Sequence, residues 1–168
     1  MNDRLYAAYG SDLNIEQMRH RCPTAKPTAK SWLFDHRLTF KGSPRRAHAT
    51  VVPAQGQAVP VVVWEISAQD EATLDRYEGV SQGYYTKKRM PLEVAGEMQD
   101  VLIYVMRPCA YNLPSKQYLD VVTRGYIDFN LPTTTLEEAL AYSYEGTIVY
   151  KNHKEEVHHG IQQDHQIC

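Results

Sequence analysis

Residues 5–13 read Leu5-Tyr6-Ala7-Ala8-Tyr9-Gly10-Ser11-Asp12-Leu13, an apolar run that is followed by a short polar turn. A tyrosine-rich apolar run that stops at glycine and serine is typical of a strand feeding a turn. A helix is predicted next, because Asn14 is a good N-cap residue and Gln17 follows it three residues later. The segment therefore predicts a strand, a glycine turn and a helix in direct succession.

The rest of the chain contains further strand patterns. Residues 32–41 alternate between apolar and polar side chains, which predicts a half-buried strand with its even-numbered apolar side chains in the core. Other predicted strands are short runs of apolar and β-branched residues, at 49–52, 58–66, 90–94, 101–106 and 147–150. Pro53 and Gly56 are expected to separate the first two of these strands. Residues 90–94 and 101–106 most simply form a hairpin, and residues 147–150 are expected to complete the sheet.

Capping residues predict three more helices, which begin at Ser67, Ser115 and Thr135. Helices and strands do not alternate regularly, so a doubly wound fold is excluded. The pattern predicts an α+β fold, with a mixed sheet or small β-barrel and peripheral helices. Residues 1–150 are expected to form a single domain, and residues 151–168 a polar, histidine-rich, mobile tail.

Composition excludes several classes of protein. The 168 residues carry 18 Lys and Arg against 20 Asp and Glu, a formal charge of -2, without a block of like charges. Nucleic acid and anionic membranes are therefore not expected as partners. No apolar run approaches the roughly 20 residues of a membrane span, and no targeting segment is apparent, so the cytoplasm is predicted.

The cysteines and histidines do not indicate a metal site or a thiol nucleophile. Cys22, Cys109 and Cys168 are odd in number and widely separated, so reduced thiols are expected. His36 is expected in the core of its strand, and His48 could border a pocket, although its place is not predicted. The histidines of the tail lack the supporting residues of an evolved metal site.

Two segments are candidates for chemistry. In the turn, Gly10 allows close approach of a ligand, and amide groups near a helix start suit a carboxylate, although a purely structural turn explains the same pattern. The second candidate is Glu78, the last residue of a predicted helix that is followed by Gly79. The helix macrodipole and burial would raise the pKa of its carboxyl, which suits a proton shuttle. The alternative is a solvated glutamate at a helix end.

Taken together, these motifs resemble the γ-glutamylcyclotransferase family. The resemblance depends on the order and spacing of Tyr9-Gly10-Ser11-Asp12-Leu13, Glu78-Gly79-Val80 and Gly83-Tyr84-Tyr85. It covers roughly residues 4–140. The family has Asn where this chain has Asp12, and a carboxylate there would weaken binding of a substrate carboxylate if it pointed inward.

The resemblance implies a mixed β-barrel and an enzyme, of transferase or lyase type, that is related to glutathione metabolism. It would release 5-oxoproline from a small γ-glutamyl substrate without a metal or cofactor, with Glu78 as general acid and base. The turn would grip the glutamyl group, and tyrosines would line the pocket, although a core role is open for each tyrosine. The implied substrate-binding residues are Tyr6, Tyr9, Gly10, Ser11, Asp12, Leu13, Tyr85, Tyr104 and Tyr118.

Two alternatives remain open at this point. One is a relative that acts on γ-glutamylamines or other γ-glutamyl metabolites, which would use the same residues. The other is a catalytically silent module that binds γ-glutamyl or acidic metabolites. The sequence also leaves open the leaving group and the choice between a monomer and a homodimer.

Overall fold

The computed structural model describes residues 4–157, within which the chain forms one five-stranded sheet and four α-helices. The strands are β1 (Arg4–Ala8), β2 (Lys26–Lys41), β3 (His48–Ile66), β4 (Tyr85–Val94) and β5 (Glu97–Met106). The α-helices are α1 (Ile15–Arg21), α2 (Ala68–Tyr77), α3 (Lys116–Asp128) and α4 (Thr134–Val157), and a 3-10 turn covers Ser11–Leu13. None of these helices combines the length and apolar character that a bilayer span requires.

The central strand of the sheet is β1, and the strand order is β2-β3-β1-β5-β4. It pairs antiparallel with β3 and parallel with β5, so the sheet is mixed. Central strands are covered on both faces, which explains why the run ending in Ala7 and Ala8 is fully buried. The strand therefore delivers the glycine turn to the edge of the core.

The edges of the sheet decide whether it is a barrel. Among the described residues, no backbone ladder joins the edge strands β2 and β4, so the α+β fold is confirmed but the predicted barrel is not. The two edges do approach each other, because the Ser31 hydroxyl donates a hydrogen bond of 2.7 Å to the carbonyl oxygen of Glu93. The result is an open, strongly curved mixed sheet.

The β2–β3 hairpin departs from the prediction in two ways. The strand β3 is continuous, and Pro53 and Gly56 lie within it rather than between two strands. A register shift near Asp35, whose φ is 56°, reverses the face that the strand β2 presents to the core. Trp32 and Phe34 are consequently 44% and 68% exposed, and their predicted inward orientation is wrong.

The predicted strand at residues 147–150 is wrong, because these residues belong to α4. The β-branched side chain of Thr147 favours a strand locally, but its hydroxyl donates to the Ser143 carbonyl one helical turn earlier, at 2.9 Å. Ser143 also receives a hydrogen bond of 2.8 Å from the Phe40 amide, which joins α4 to β2. The helix continues to Val157, and residues 158–168 of the predicted tail lie outside the described residues.

Local signals for three helix starts and one hairpin are confirmed, whereas Thr135 lies inside α4 rather than at its N-cap, because the helix begins at Thr134. The side chains of Asn14, Ser67 and Ser115 each accept a hydrogen bond from an amide in the first turn of α1, α2 and α3 respectively. The predicted β4–β5 hairpin is present, with a tight turn between Val94 and Glu97. These contacts involve residues close in sequence, which explains why they were predictable.

Cys22 is a buried free thiol beside α1, as expected.

One glycine allows α3 to pack directly against the 3-10 turn. A Cβ atom at Gly125 would lie 2.5 Å from Cβ of Leu13 and 2.7 Å from the amide nitrogen of Asn14. Neither neighbour can yield cheaply, since one is backbone and the other is a fully buried side chain. The absence of a side chain at Gly125 therefore sets the position of the turn.

We expect Gly125→Ala to lower the free energy of unfolding by about 2 kcal/mol, because overpacking costs roughly 1–3 kcal/mol. Helix propensity alone predicts that this change would raise the free energy of unfolding by about 1 kcal/mol. The sign of the measured change therefore distinguishes packing from propensity. Urea denaturation measures the effect. Arg124→Ala, at the neighbouring exposed position, is the control, and equal stability of the two variants would contradict the packing interpretation.

Candidate functional site

A cavity of about 410 Å³ opens where the glycine turn meets the end of α2. Nine of the ten candidate residues line it, and the exception is Leu13. That side chain is fully buried below the turn, where it packs against α3. The candidates at the cavity wall are Tyr6, Tyr9, Gly10, Ser11, Asp12, Glu78, Tyr85, Tyr104 and Tyr118.

The glycine turn is held from both sides. A Cβ atom at Gly10 would approach Cβ of Ala49 to 3.1 Å, so the turn packs closely on the start of β3. From α1, the side-chain amide of Gln17 donates to the Ser11 carbonyl at 3.0 Å. From the other side, the Asn14 side chain donates to the carbonyl of Val121 in α3 at 3.2 Å. The backbone at the cavity wall is thereby fixed in place.

Asp12 occupies a polar niche at this wall. Its carboxylate accepts hydrogen bonds from the Tyr6 hydroxyl at 2.8 Å and from the Arg21 guanidinium at 2.9 Å. The Asp12 and Arg21 side chains are 3% and 19% exposed, so the ion pair is largely shielded from water. Arg21 also lies over the ring of Tyr77, 4.3 Å from its centre. The negative charge of Asp12 is therefore balanced within the protein.

Glu78 is the C-cap residue of α2, and Gly79 follows with a φ of 60°. This left-handed residue turns the chain and leaves the Glu78 carboxyl at the cavity. Burial, and then the nearby charge of Asp12, raise the pKa of Glu78 to about 8, whereas Arg21 lowers it. A hydrogen bond to Asp12 also favours the protonated form of Glu78. The carboxyl is therefore poised to exchange a proton near neutral pH.

Two of the cavity tyrosines bind the backbone at the start of β3. The Tyr85 hydroxyl donates to the Ala49 carbonyl at 2.7 Å, and the Tyr118 hydroxyl accepts from the Ala49 amide at 3.0 Å. Tyr118 also packs edge-on against the ring of His48, with 4.7 Å between the ring centres. These contacts tie β3, β4 and α3 together around the cavity.

The other tyrosines connect β1 with β5 and α2. The Tyr9 hydroxyl donates to the Tyr104 carbonyl at 2.6 Å. The Tyr104 hydroxyl donates to the Asp75 carboxylate of α2 at 2.7 Å, and its ring packs edge-on against Tyr6. Burial is the main cause of the raised pKa of each of these three phenols, so they stay protonated at neutral pH.

Several cavity residues, most of them basic or polar, were not among the ten sequence candidates. Gln17 and Arg21 are four residues apart in α1 and share one face of the helix, a spacing that could have drawn attention to them. Lys41 and Arg46 line the cavity from the end of β2 and the loop that follows. His48 also lines it, and burial lowers its pKa, which favours the neutral imidazole.

A group of three or more potential metal ligands from histidine, cysteine, aspartate and glutamate is not found within residues 4–157. Asp12 and Glu78 are the acidic side chains at the cavity, and Arg21 already pairs with the former. The cavity residues can hold a polar ligand, and the Glu78 carboxyl can exchange a proton with it.

Comparison with known proteins places this chain in a family. Residues 58–138 match the family model described as AIG2-like. The chain is 32% identical to the bovine γ-glutamylcyclotransferase over 141 residues, which are 76% of this chain and 72% of the bovine protein. It is 31% identical to the mouse γ-glutamylcyclotransferase, over 86% of this chain and 82% of the mouse protein.

Structural comparison agrees with these sequence matches. A solved structure of a γ-glutamyl cyclotransferase superposes with a TM-score of 0.70 at 26% identity, over 82% of this chain and 86% of the other. The chain therefore belongs to the γ-glutamylcyclotransferase family, a family of enzymes.

Because folding raises the pKa of Glu78 from 4.5 to about 8, the carboxyl stabilises the fold fully below pH 4.5 and loses this contribution as the pH rises through 8. Glutamine keeps a hydrogen-bond donor toward Asp12 and does not ionise. We therefore expect Glu78→Gln to raise Tm by about 5 °C at pH 9 and by much less at pH 5. Thermal denaturation followed by circular dichroism tests this, and a pH-independent difference would contradict it.

Proposed function

We propose that this protein is a γ-glutamylcyclotransferase, which cleaves a γ-glutamyl compound to 5-oxoproline and a free amine or amino acid. The observation that carries the proposal is the Glu78 carboxyl, which lies at the cavity wall beside the glycine turn with its pKa raised to about 8. A group with this pKa accepts and returns a proton near neutral pH. Membership of the family supports the same reaction.

The reaction requires two protons to move from the attacking nitrogen to the leaving nitrogen. The substrate enters with an α-ammonium group, which cannot attack, so the Glu78 carboxylate first removes a proton from it. The free amine then attacks the γ-carbonyl carbon, and a new C–N bond closes the five-membered ring. The protonated Glu78 returns its proton to the leaving nitrogen as the original amide C–N bond breaks. The new ring nitrogen still carries a second proton, which passes through the Glu78 carboxylate to the departing amine. The lactam therefore keeps one N–H, the amine leaves as an ammonium, and Glu78 ends the cycle as a carboxylate.

Because the nucleophile belongs to the substrate, the protein mainly has to hold a folded conformer. Orientation of an intramolecular reaction contributes up to roughly 7–11 kcal/mol. In this proposal the backbone of residues 9–12 grips the glutamyl group, since the first amides of a helical turn have no partner within the turn. Gln17 and Asn14 hold this backbone rigid, which limits the orientations that the substrate samples.

The basic residues at the cavity support a leaving group that carries a carboxylate. Lys41 is half-buried at the wall, and burial lowers its pKa. A substrate carboxylate nearby would offset this desolvation cost. Arg46 adds a second positive charge from the loop after β2. We therefore propose γ-glutamyl amino acids as preferred substrates over γ-glutamylamines.

The proposed reaction makes Glu78→Gln the central test. We expect this variant to lose 5-oxoproline release by about 10²–10⁴-fold, because the general acid and base is removed. Calorimetry should still detect saturable binding of a γ-glutamyl dipeptide. Glu145→Gln, which makes the same change on the exposed face of α4, is the control and should leave turnover unchanged. Normal turnover in Glu78→Gln would refute the mechanism, and saturable binding without turnover in the unsubstituted protein would favour the silent binding module.

A matched pair of substrates tests the preference for a leaving group that carries a carboxylate. γ-Glutamyl-alanine and γ-glutamyl-ethylamine differ by one carboxylate, and we expect the first to have the higher kcat/KM. Lys41→Gln should lower that preference by about tenfold, or about 1.4 kcal/mol. Lys116→Gln, an exposed charge removal on α3, should not alter it. An unchanged preference in Lys41→Gln would exclude this lysine as the carboxylate partner.

A further inference from the structure

The side chain of Asp12 takes no part in the proposed reaction, although it is an enclosed charge at the cavity wall. The residue is 2% exposed, and two hydrogen-bond donors bind its carboxylate. Tyr6 donates to one oxygen and Arg21 to the other, and Glu78 lines the same cavity, where the nearby Asp12 carboxylate raises its pKa. A buried carboxylate with this number of partners is held in one orientation.

We propose that Asp12 and Glu78 hold one proton between them, with Arg21 and Tyr6 keeping Asp12 as the ionised member of the pair. Asp12 is thus a positioning residue that acts through Glu78. This inference rests on the proposed function, in which Glu78 is the group that exchanges the proton. The carboxyl pair explains why Glu78 exchanges its proton in that pH range.

The geometry determines which carboxyl keeps the proton. Arg21 pairs with Asp12 at 2.9 Å, and the Tyr6 hydroxyl donates to Asp12 at 2.8 Å, so both contacts favour charge on Asp12. Glu78 then serves as the donor between the two carboxyls. Ionising Glu78 would place two negative charges in contact, with one guanidinium beside them.

Most of the other titratable groups around the cavity are phenols. Burial keeps the phenols protonated and lowers the pKa of His48, so these groups are neutral at the pH where Glu78 titrates. Lys41 remains charged there and titrates from the alkaline side, because burial lowers its pKa. The fall in kcat/KM on the acid side of its pH profile therefore follows the titration of the Asp12–Glu78 pair. The other titratable or charged groups at the cavity are Tyr6, Tyr9, Arg21, Lys41, Arg46, His48, Tyr77, Tyr84, Tyr85, Tyr104 and Tyr118.

The pair has a direct consequence for catalysis. At neutral pH much of the free enzyme holds its proton on Glu78 and cannot accept another from the substrate ammonium. The bound ammonium adds a positive charge beside two carboxyls, which favours release of that proton. Asparagine at position 12 would keep its single oxygen for Arg21, and its amide group would donate to the Tyr6 hydroxyl oxygen. It would carry no charge, so Glu78 would ionise at lower pH.

The test is the pH dependence of kcat/KM for 5-oxoproline release from γ-glutamyl-alanine, measured from pH 5 to 9 with the full chain. We expect Asp12→Asn to move the acid limb to lower pH by at least one unit. The ratio of kcat/KM at pH 6 to that at pH 9 would then rise about tenfold. Arg21→Gln should move the limb in the opposite direction, which a merely structural role for these residues does not predict. Asp120→Asn, which removes an exposed aspartate, is the control and should leave the limb in place.

A second readout is independent of turnover. Carbon-13 NMR of protein labelled at glutamate carboxyls, with Glu78→Gln for assignment, follows the titration of Glu78 directly. We expect its midpoint to fall in Asp12→Asn. If the unsubstituted protein titrates as expected but releases no 5-oxoproline, the proposed function fails and the carboxyl pair stands. If Glu78 titrates at the same pH with and without Asp12, the carboxyl pair is overturned, whatever the activity.

Discussion

Two carboxyl groups at one cavity, Asp12 and Glu78, are the constraint around which the site is arranged. One lies on the turn after β1 and the other at the end of α2, so the cavity brings together two elements that are distant in sequence. Arg21 from α1 offsets part of the negative charge, and Tyr6 from β1 donates to the same carboxylate. A site of this kind destabilises the fold locally, and the apolar core of β1, β3 and β5 offsets that cost.

The same cavity depends on close backbone packing. Gly10 lets the turn lie against Ala49, and Gly125 lets α3 approach the residue that ends the turn. Ala49 in turn binds two tyrosine hydroxyls, so a single residue of β3 connects the turn, β4 and α3. The tyrosine-rich composition is explained by this network, in which each phenol contributes apolar area and a hydrogen bond between elements.

Short-range signals predicted much of the fold. The N-caps Asn14, Ser67 and Ser115 and the C-cap glycine Gly79 all lie where local hydrogen bonding places them. The β2 face was mispredicted because the register shift near Asp35 depends on pairing with β3, which alternation within one strand does not reveal. Residues 147–150 were mispredicted because packing of α4 on β2 outweighs their β propensity.

The sequence by itself determined the N-caps of α1, α2 and α3, the β4–β5 hairpin and the position of Glu78 beside a left-handed glycine, because these depend on contacts between near neighbours. Resemblance to a family added Tyr85, Tyr104 and Tyr118 as cavity residues. Tertiary structure alone decided that Asp12, Arg21 and Glu78 meet, that Leu13 lies below the cavity rather than in it, and that Lys41 lines its wall. Their charges and burial arise from packing between distant segments, and no pattern within one segment specifies such packing.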